Sequence, residues 1–400
     1  MRSIKAIGGN RVSIRLKGIT WGHVRGISPL KATTEQYQYR NPDISIEWDT
    51  RSLEDFEHYP IDLLAKKYDL ILMDHPFIAT GVHKDVIIAL DEWLPEEFLL
   101  DQAENSVGRS YDSYYWLDHQ WALAVDAAAQ VSAYRADLLV ELDLKIPKTW
   151  DEVFELINVL PDNMKVGFPL NPTHSFLSFL AICANLGGND FWDETDGINL
   201  EIGEQSLHML KRLVSMVHPK SLSSNPIHIS DIMSSTNEIV YVPLMFGYAN
   251  YARTGFRPHV IHYTDIPTTH TEASGGVLGG VGIAVSAHSK HKREAAEYAR
   301  YVTSSEVQRG LYCASDGQPG HRKAWMDPEV NLESHGFFEH TLRTLDLAYL
   351  RPRYVGYPEF QERAGGILHS LLIYEGNYRE GLQNLNKVYL KMRAESVESE

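Results

Sequence analysis

The fold is decided by two apolar stretches, Gln120-Trp-Ala-Leu-Ala-Val-Asp-Ala-Ala-Ala-Gln-Val-Ser-Ala-Tyr134 and Gly275-Gly-Val-Leu-Gly-Gly-Val-Gly-Ile-Ala-Val-Ser286. Each reads as an apolar strand with small or acidic residues in its middle. Such residues suit a backbone that passes from one lobe to another beside a ligand, because small side chains allow a close approach. We therefore expect the chain to cross between two lobes at both stretches.

The length of the chain indicates two lobes, and its net charge excludes two classes of binding partner. The chain has 400 residues, which is too long for one ordinary core and fits a two-lobed molecule. Its net charge of −16 argues against nucleic acid and against an anionic membrane surface, because both need clustered Lys and Arg. We find no apolar stretch long enough to span a bilayer, and so predict no membrane insertion.

The two cysteines, Cys183 and Cys313, form neither a metal-ligand spacing nor a disulfide framework. Cys183 lies in an apolar run and is interpreted as a buried small hydrophobe. Cys313 is expected at a helix end beside a loop, without a reactive role. We predict no metal and no cofactor.

In the first hundred residues, short apolar strands alternate with amphipathic helices, which is typical of a mostly parallel sheet with helices on both faces. The predicted strands are 12–20, 44–49 and 68–74, and a helix is predicted over 29–40. Ligands collect at the carboxyl ends of such strands. That rule indicates the loops 20–26 and 74–77.

Longer helices follow residue 125. Caps and stop signals predict helices over 150–159, 175–186, 203–217 and 292–311, a strand running into a turn over 239–251, and helices through the last sixty residues.

Two further motifs carry a resemblance to a known family. Tyr134-Arg-Ala-Asp-Leu138 followed by Pro147-Lys-Thr-Trp-Asp-Glu152 resembles the Tyr-Asn-x-Asp-Leu and Pro-x-Thr-Trp-Asp-Glu of extracellular solute-binding protein family 1. These are the sugar-type substrate-binding receptors of ABC transporters. Leu186-Gly-Gly188 and the run 277–286 follow in the family's order, so that the resemblance covers about residues 13 to 390.

The resemblance implies a two-lobed α/β fold of the periplasmic-binding-protein type II class. Each lobe would be a mixed, mostly parallel sheet flanked by helices, with the ligand cleft between the lobes and closure about a hinge. The implied first lobe is 1–125 plus 280–340, and the second is 126–279 plus 341–400. The hinge crossings lie near 122–130, 275–282 and 335–350.

Charged residues near the predicted cleft each allow two interpretations. Arg25 could grip a ligand carboxylate or phosphate with two parallel hydrogen bonds, or lie on the surface. Asp126 stands in an apolar strand, so it must have a partner or face the cleft, and we favour the cleft. Asp74 either lines the cleft or caps the helix that follows it.

Phe246 and Tyr248 occupy the turn where the family presents a tryptophan that stacks on the sugar, and the alternative is that they are core residues. The residues predicted to bind the ligand are Trp21, His23, Arg25, Asp74, His75, Trp121, Asp126, His174, Phe246, Tyr248, Gly279, Gly280 and Arg322.

Two functions remain open. The first is a monomeric receptor that captures a carbohydrate-like or small polar or acidic solute, with ABC transporter permease subunits as the implied partner. The alternative is a cytoplasmic enzyme on the same fold, a lyase, isomerase or hydrolase, using His23, Asp74, His75 and Asp126 as general acid and base. The sequence carries no Ser-His-Asp pattern, phosphate loop or metal motif that supports a particular reaction.

The amino end, residues 1–12, has no long apolar run, no small-residue cleavage site and no Cys for lipid attachment. We therefore expect a cytoplasmic location for the chain as written, and a periplasmic or extracellular one if a leader has been removed.

Overall fold

A computed structural model describes residues 14–269 and 272–397. Its strands are β1 Ile14–Trp21, β2 Ile44–Arg51, β3 Leu70–Met73, β4 Tyr115–Trp116, β5 His119–Gln120, β6 Ala122–Tyr134, β7 Lys165–Val166, β8 Trp192–Asp193, β9 Gly197–Ile198, β10 Ile239–Phe246, β11 His262–Thr264 and β12 Leu278–Val285. Its helices are α1 Val24–Arg40, α2 Leu53–His58, α3 Ile61–Ala65, α4 Ile78–His83, α5 Glu96–Glu104, α6 Ala136–Glu141, α7 Trp150–Val159, α8 Pro172–Gly187, α9 Leu200–Val214, α10 Pro226–Ser235, α11 Lys292–Thr303, α12 Ser305–Val307, α13 Arg322–Trp325, α14 Pro328–Glu333, α15 Phe337–Asp346, α16 Tyr357–Ile373 and α17 Tyr378–Val397.

Within residues 14–269 and 272–397, eight strands join in one mixed sheet in the order β2-β1-β3-β12-β6-β10-β7, with β11 paired beside β6. β1 runs parallel to β2 and β3, and β10 runs parallel to β7. β12 and β6 run antiparallel to their neighbours, so antiparallel pairing is more frequent than the sequence predicted. The pairs β4-β5 and β8-β9 form two small separate sheets.

The two stretches that decided the fold are the central strands of this sheet. β12 pairs with β6 over seven residues, from Leu278 opposite Ala129 to Ala284 opposite Ala122. The register shifts between Val281 and Gly282, which bends the ladder at its middle. β6, thirteen residues long, therefore connects the strands before it with β10 and β11 after it.

The first helix begins earlier than predicted. α1 starts at Val24, so Arg25 lies in a helix, whereas we predicted a loop over 20–26 and a helix only from Pro29. The His23 side chain caps the helix by accepting a hydrogen bond from the Arg25 backbone N–H at 3.1 Å. Pro29 is thus an interior residue of α1, and the predicted start at a proline was wrong.

Other predicted elements shift by a few residues. α8 begins at Pro172 because Asn171 caps it, and α9 begins at Leu200 because Asn199 does the same. The helix predicted over 292–311 breaks at Ser304 into α11, α12 and a π-helical turn at 308–312. α7 has the predicted bounds and a complete capping box between Thr149 and Glu152. The first two residues of the predicted strand 12–20 lie outside the described residues.

Among the described residues, four apolar clusters form the core. One cluster packs α1 and α11 against β1, β2 and β3. A second packs α3 and α4 against β3. The largest packs α7, α8, α9, α16 and α17 together. The fourth joins Trp325 and Phe337 to Met245 and Tyr263 of β10 and β11. Trp325 and Phe337 therefore pack beside the second half of the sheet. The lobe bounds 1–125 plus 280–340 and 126–279 plus 341–400 stay a prediction.

In the part of the chain that the structure describes, no helix combines the length and the apolar character needed to cross a bilayer.

Candidate functional site

A cavity of about 70 Å³, several times what one water molecule needs, lies beside the bent part of the β6-β12 ladder. Its walls come from both halves of the chain and from the crossing strands. The early segments contribute Trp21, Arg25, Leu53, Phe56, Glu57 and Asp74; the crossing strands contribute Ala128, Gly279, Gly280 and Val281; the later segments contribute Thr173, His174, Leu177, Pro226, Phe246, Tyr248, Arg351 and Gln361.

Arg25 and Asp126 form a buried ion pair at the edge of this pocket. The Arg25 Nε donates to Asp126 Oδ2 at 2.7 Å, its Nη2 donates to Oδ1 at 2.5 Å, and its Nη1 donates to the Gly247 carbonyl oxygen at 2.9 Å. Burial opposes both charges. It raises the pKa of Asp126, and the nearby Arg25 offsets only part of that rise. For Arg25 the carboxylate of Asp126 outweighs burial, so the pKa of the guanidinium is raised as well. The bidentate geometry is that of two charged groups.

This pair corrects two interpretations. Arg25 is buried rather than on the surface, and the two parallel hydrogen bonds that it could have made to an anionic ligand go to Asp126. Asp126 has the partner that burial required, and it does not line the pocket as we had favoured. The Tyr248 ring adds a cation–π contact, since the Arg25 guanidinium carbon lies 4.7 Å from its centre.

A second ion pair, between Asp74 and Arg351, forms part of the cavity wall. Asp74 caps the turn after β3 by accepting from the His75 backbone N–H, and its carboxylate also accepts two hydrogen bonds from Arg351 Nη2, at 2.7 and 3.0 Å. Arg351 Nη1 donates to the Gln361 side-chain oxygen at 2.8 Å. Although burial raises the pKa of Asp74, Arg351 and His75 outweigh it and hold that pKa well below its usual range.

Polar groups without partners face the pocket between these pairs. Trp21 Nε1 and both ring nitrogens of His174 are buried and lack a hydrogen-bond partner among the described residues. The Glu57 carboxylate, on α2, approaches His174 Nε2 to 3.8 Å without bonding it. Burial lowers the pKa of His174 to about 3 and raises that of Glu57 to about 8. These groups have hydrogen-bonding capacity that a solute could use.

Phe246 and Tyr248 both line the pocket at the end of β10. Phe246 lies against Gly279 so closely that a Cβ there would approach its Cε1 to 2.6 Å, and its ring centre is 5.9 Å from that of His174. The glycine in the crossing strand thus makes room for the ring. Tyr248 is nearly buried and stands edge-on to His23 at 4.9 Å.

Eight of the predicted ligand-binding residues line the cavity, namely Trp21, Arg25, Asp74, His174, Phe246, Tyr248, Gly279 and Gly280. The other five lie outside its walls: His23, His75, Trp121, Asp126 and Arg322.

Each of the five has a structural place. His23 caps α1. His75 is fully buried, with Nδ1 3.1 Å from Asp74 Oδ1 but without the alignment of a hydrogen bond. Trp121 donates from Nε1 to the Trp116 carbonyl oxygen at 2.7 Å. Arg322 pairs with Asp346. Because only Asp74 of the four proposed acid-base residues lines the cavity, the structure does not assemble them around a common substrate space.

Sequence reasoning missed Glu57, Arg351 and Gln361. Glu57 lies on a six-residue helix that we did not predict, although Ser52 with Asp55 three residues later is a helix-start signal. Arg351 follows the last predicted crossing, and nothing local to it indicates Asp74 as its partner. Gln361 lies on α16 and joins the pocket through Arg351.

Solved structures with the same fold have similar sizes. Maltose-bound MalE3 of T. maritima is 18% identical, with a TM-score of 0.79 over 95% of this chain and 99% of that chain. A solute-binding protein of an ABC transporter from Thermotoga Lettingae TMO, bound with α-D-tagatose, is 16% identical, with a TM-score of 0.80 over 95% and 100%. UgpB from Mycobacterium tuberculosis, in complex with glycerophosphocholine, is 14% identical, with a TM-score of 0.79 over 98% and 100%.

These likenesses confirm the predicted two-lobed fold of periplasmic binding proteins. The family itself is shown by sequence, because the profile of the bacterial extracellular solute-binding proteins matches residues 23–309, well over half of the chain. The resemblance drawn from the hinge motifs is thereby confirmed. The chain is a member of the bacterial extracellular solute-binding protein family.

Proposed function

We propose that this protein is a reversible receptor for a small, polyhydroxylated, carbohydrate-like solute, which it binds in the cavity beside the crossing strands β6 and β12. The observation that carries the proposal is the wall of that cavity. It combines aromatic rings with buried polar atoms, Trp21 Nε1 and the two His174 ring nitrogens, that have no partner in the described chain. Pockets that hold small polar ligands have this mixture of apolar surface and a few orienting groups.

A polyhydroxylated solute matches both components. Its hydroxyl groups donate and accept, so they can satisfy the indole N–H of Trp21 and both nitrogens of a neutral His174. Its C–H faces can pack against Phe246 and Phe56, which line the same cavity. Leaving these buried polar atoms unsatisfied is costly, and a bound solute that bonds them removes that cost.

The similar structures support a carbohydrate-like ligand. Of the three compared, one holds maltose and one holds α-D-tagatose, while the third holds glycerophosphocholine. An acidic solute is less well supported by the geometry, since Arg25 and Arg351 are already paired with Asp126 and Asp74.

We further propose that the receptor delivers its solute to ABC transporter permease subunits, which is the partner that the family implies. A monomeric state and the location of the protein remain predictions.

The proposal is tested by calorimetric titration of the purified protein with maltose, tagatose, sorbitol and related sugars and polyols, after extensive dialysis. We expect at least one of them to bind and to be recovered unchanged. Phe246→Ala should weaken its binding by about tenfold or more, because the aromatic contact is lost.

Tyr374→Ala is the matched control, because Tyr374 is an exposed aromatic residue outside the cavity walls. The proposal fails if no sugar or polyol binds, if the ligand is chemically altered, or if both aromatic substitutions have the same effect.

A further inference from the structure

We infer that the solute carries a protonated amine among its hydroxyl groups, and that Glu57 is the specificity-determining residue that receives it. This inference rests on the proposed function and specifies the chemical class of the ligand, an amino sugar or an amino polyol.

Glu57 is an acid without a counter-charge in direct contact. Its side chain is 18% exposed and lines the cavity. Among residues 14–269 and 272–397 no hydrogen bond to its carboxylate is found, and the nearest basic atoms are His174 Nε2 at 3.8 Å and His58 Nε2 at 4.0 Å. An ionised carboxylate with this little exposed surface and no cation in contact is costly unless a partner arrives.

The arginines of the cavity do not supply that partner. Arg25 is engaged by Asp126, and Arg351 is engaged by Asp74 and Gln361. The two Arg and two Asp charges balance, so no cation of the cavity is left to pair with Glu57 when it ionises. A cationic group on the solute would pair with the ionised carboxylate, whereas an anionic group would find no unpaired cation in the cavity.

The surroundings of Glu57 also favour a cation. The rings of Trp21, Phe56 and Phe246 line the same cavity, and the faces of aromatic rings attract ammonium groups. His174 is buried with both nitrogens unpartnered, and a neutral imidazole offers one of them as an acceptor for an N–H. Burial raises the pKa of Glu57 to about 8, so the side chain is mostly protonated at pH 7 in the free protein, and a bound ammonium group would stabilise its ionised form.

The inference is tested with ligands that share a six-carbon skeleton and differ in charge. Sorbitol is neutral, 1-amino-1-deoxy-D-sorbitol carries a protonated amine, and D-gluconate carries a carboxylate; D-glucose and D-glucosamine form a second neutral and cationic pair. Affinities are measured by calorimetry at pH 7 with the native protein, Glu57→Gln and Glu54→Gln. Glu54 is exposed on the same helix, so its substitution is a matched control.

We expect each amine to bind the native protein about tenfold or more tightly than its neutral counterpart, because a charge-assisted hydrogen bond is added, and gluconate to bind most weakly. Glu57→Gln should abolish that preference and leave neutral binding within about threefold, since the amide keeps the size and hydrogen-bonding of the side chain. Glu54→Gln should preserve the preference. Melting temperatures without ligand show whether each variant remains folded.

Three results would overturn the inference. Neutral compounds that bind as tightly as the amines would show that Glu57 serves hydroxyl groups and would leave the proposed receptor function intact. Equal losses for amine and neutral ligands in Glu57→Gln would have the same meaning. If neither the neutral nor the charged compounds bind, the proposed function itself is contradicted.

Discussion

The guanidinium of Arg25 holds both carboxylate oxygens of Asp126, which stands in the middle of the crossing strand β6. The same guanidinium donates to the carbonyl oxygen of Gly247, just after β10. One side chain at the start of α1 therefore connects the first segment of the chain, the crossing strand and the later sheet. Both charges are almost completely removed from solvent.

Asp126→Asn is expected to lower the free energy of unfolding by about 3–5 kcal/mol, because it leaves the buried Arg25 cation without a counter-charge. Urea denaturation followed by circular dichroism measures the change. Glu297→Gln is the control: Glu297 pairs with Arg300 on the exposed face of α11, and surface pairs contribute at most about 1 kcal/mol. Equal effects of the two substitutions would contradict a structural role for the buried pair.

The same pair shows how far the sequence could predict the site. A carboxylate inside an apolar strand had to have a partner or face the cleft, and that physical argument needed only the local sequence. The identity of the partner depended on how α1 packs against β6, across 101 residues of chain. Pairings of that kind follow from tertiary structure, which local patterns do not encode.

The fold was more predictable than the cavity. The two apolar stretches are long and rich in small residues, so the prediction of a strand at each followed from their pattern, whereas their pairing at the centre of the sheet did not. Glu57 was missed because the stretch 53–58 is short and acidic, and such a stretch normally forms a solvated surface. Packing of α2 against α16 puts one side of it at the cavity.

Acid is expected to destabilise the protein between about pH 6.5 and pH 4 through His75. Burial, with Arg351 adding to it and Asp74 opposing it, lowers the pKa of His75 to about 4. The unfolded chain, in which His titrates near 6.5, therefore binds more protons in this range. His75 thus lowers the free energy of unfolding by up to about 1.4 kcal/mol for each unit by which the pH falls. Urea denaturation at a series of pH values measures the slope.

His75→Gln should reduce the slope of the free energy of unfolding against pH by up to about 1.4 kcal/mol per pH unit, the contribution of one proton. Substitution of the exposed His228 by Gln should leave the slope unchanged. Asp74 does not interfere in this range: its pKa is held well below the usual value, so its contribution is lost only below about pH 4. An unchanged slope in His75→Gln would show that His75 is not the titrating group.

Gly280→Ala is expected to destabilise the crossing strand by about 1–3 kcal/mol or more. Gly280 has φ of 104°, a backbone angle that residues other than glycine rarely adopt, and a Cβ there would approach the Asp126 carbonyl oxygen to 2.5 Å. Gly366→Ala is the matched control, because Gly366 lies on α16 with open space around it and alanine favours helices by up to about 1 kcal/mol. Thermal and urea denaturation compare the two, and equal stability would contradict the strain at Gly280.

Substitutions of Arg351, in the cavity wall, and of Arg322, outside it, test whether the cavity is the ligand site. Arg351→Met should weaken binding of any cavity ligand by about tenfold or more, because it leaves Asp74 unpaired in the cavity wall and frees Gln361. Arg322→Met removes an equally long cation whose guanidinium pairs with Asp346 away from the cavity, so ligand affinity should stay within about twofold, less than half a kcal/mol. Calorimetry with the best ligand from the sugar and polyol titrations measures both. If Arg322→Met caused the larger loss, the binding site would lie on the Arg322 side of the molecule, and the cavity assigned here would not be the ligand site.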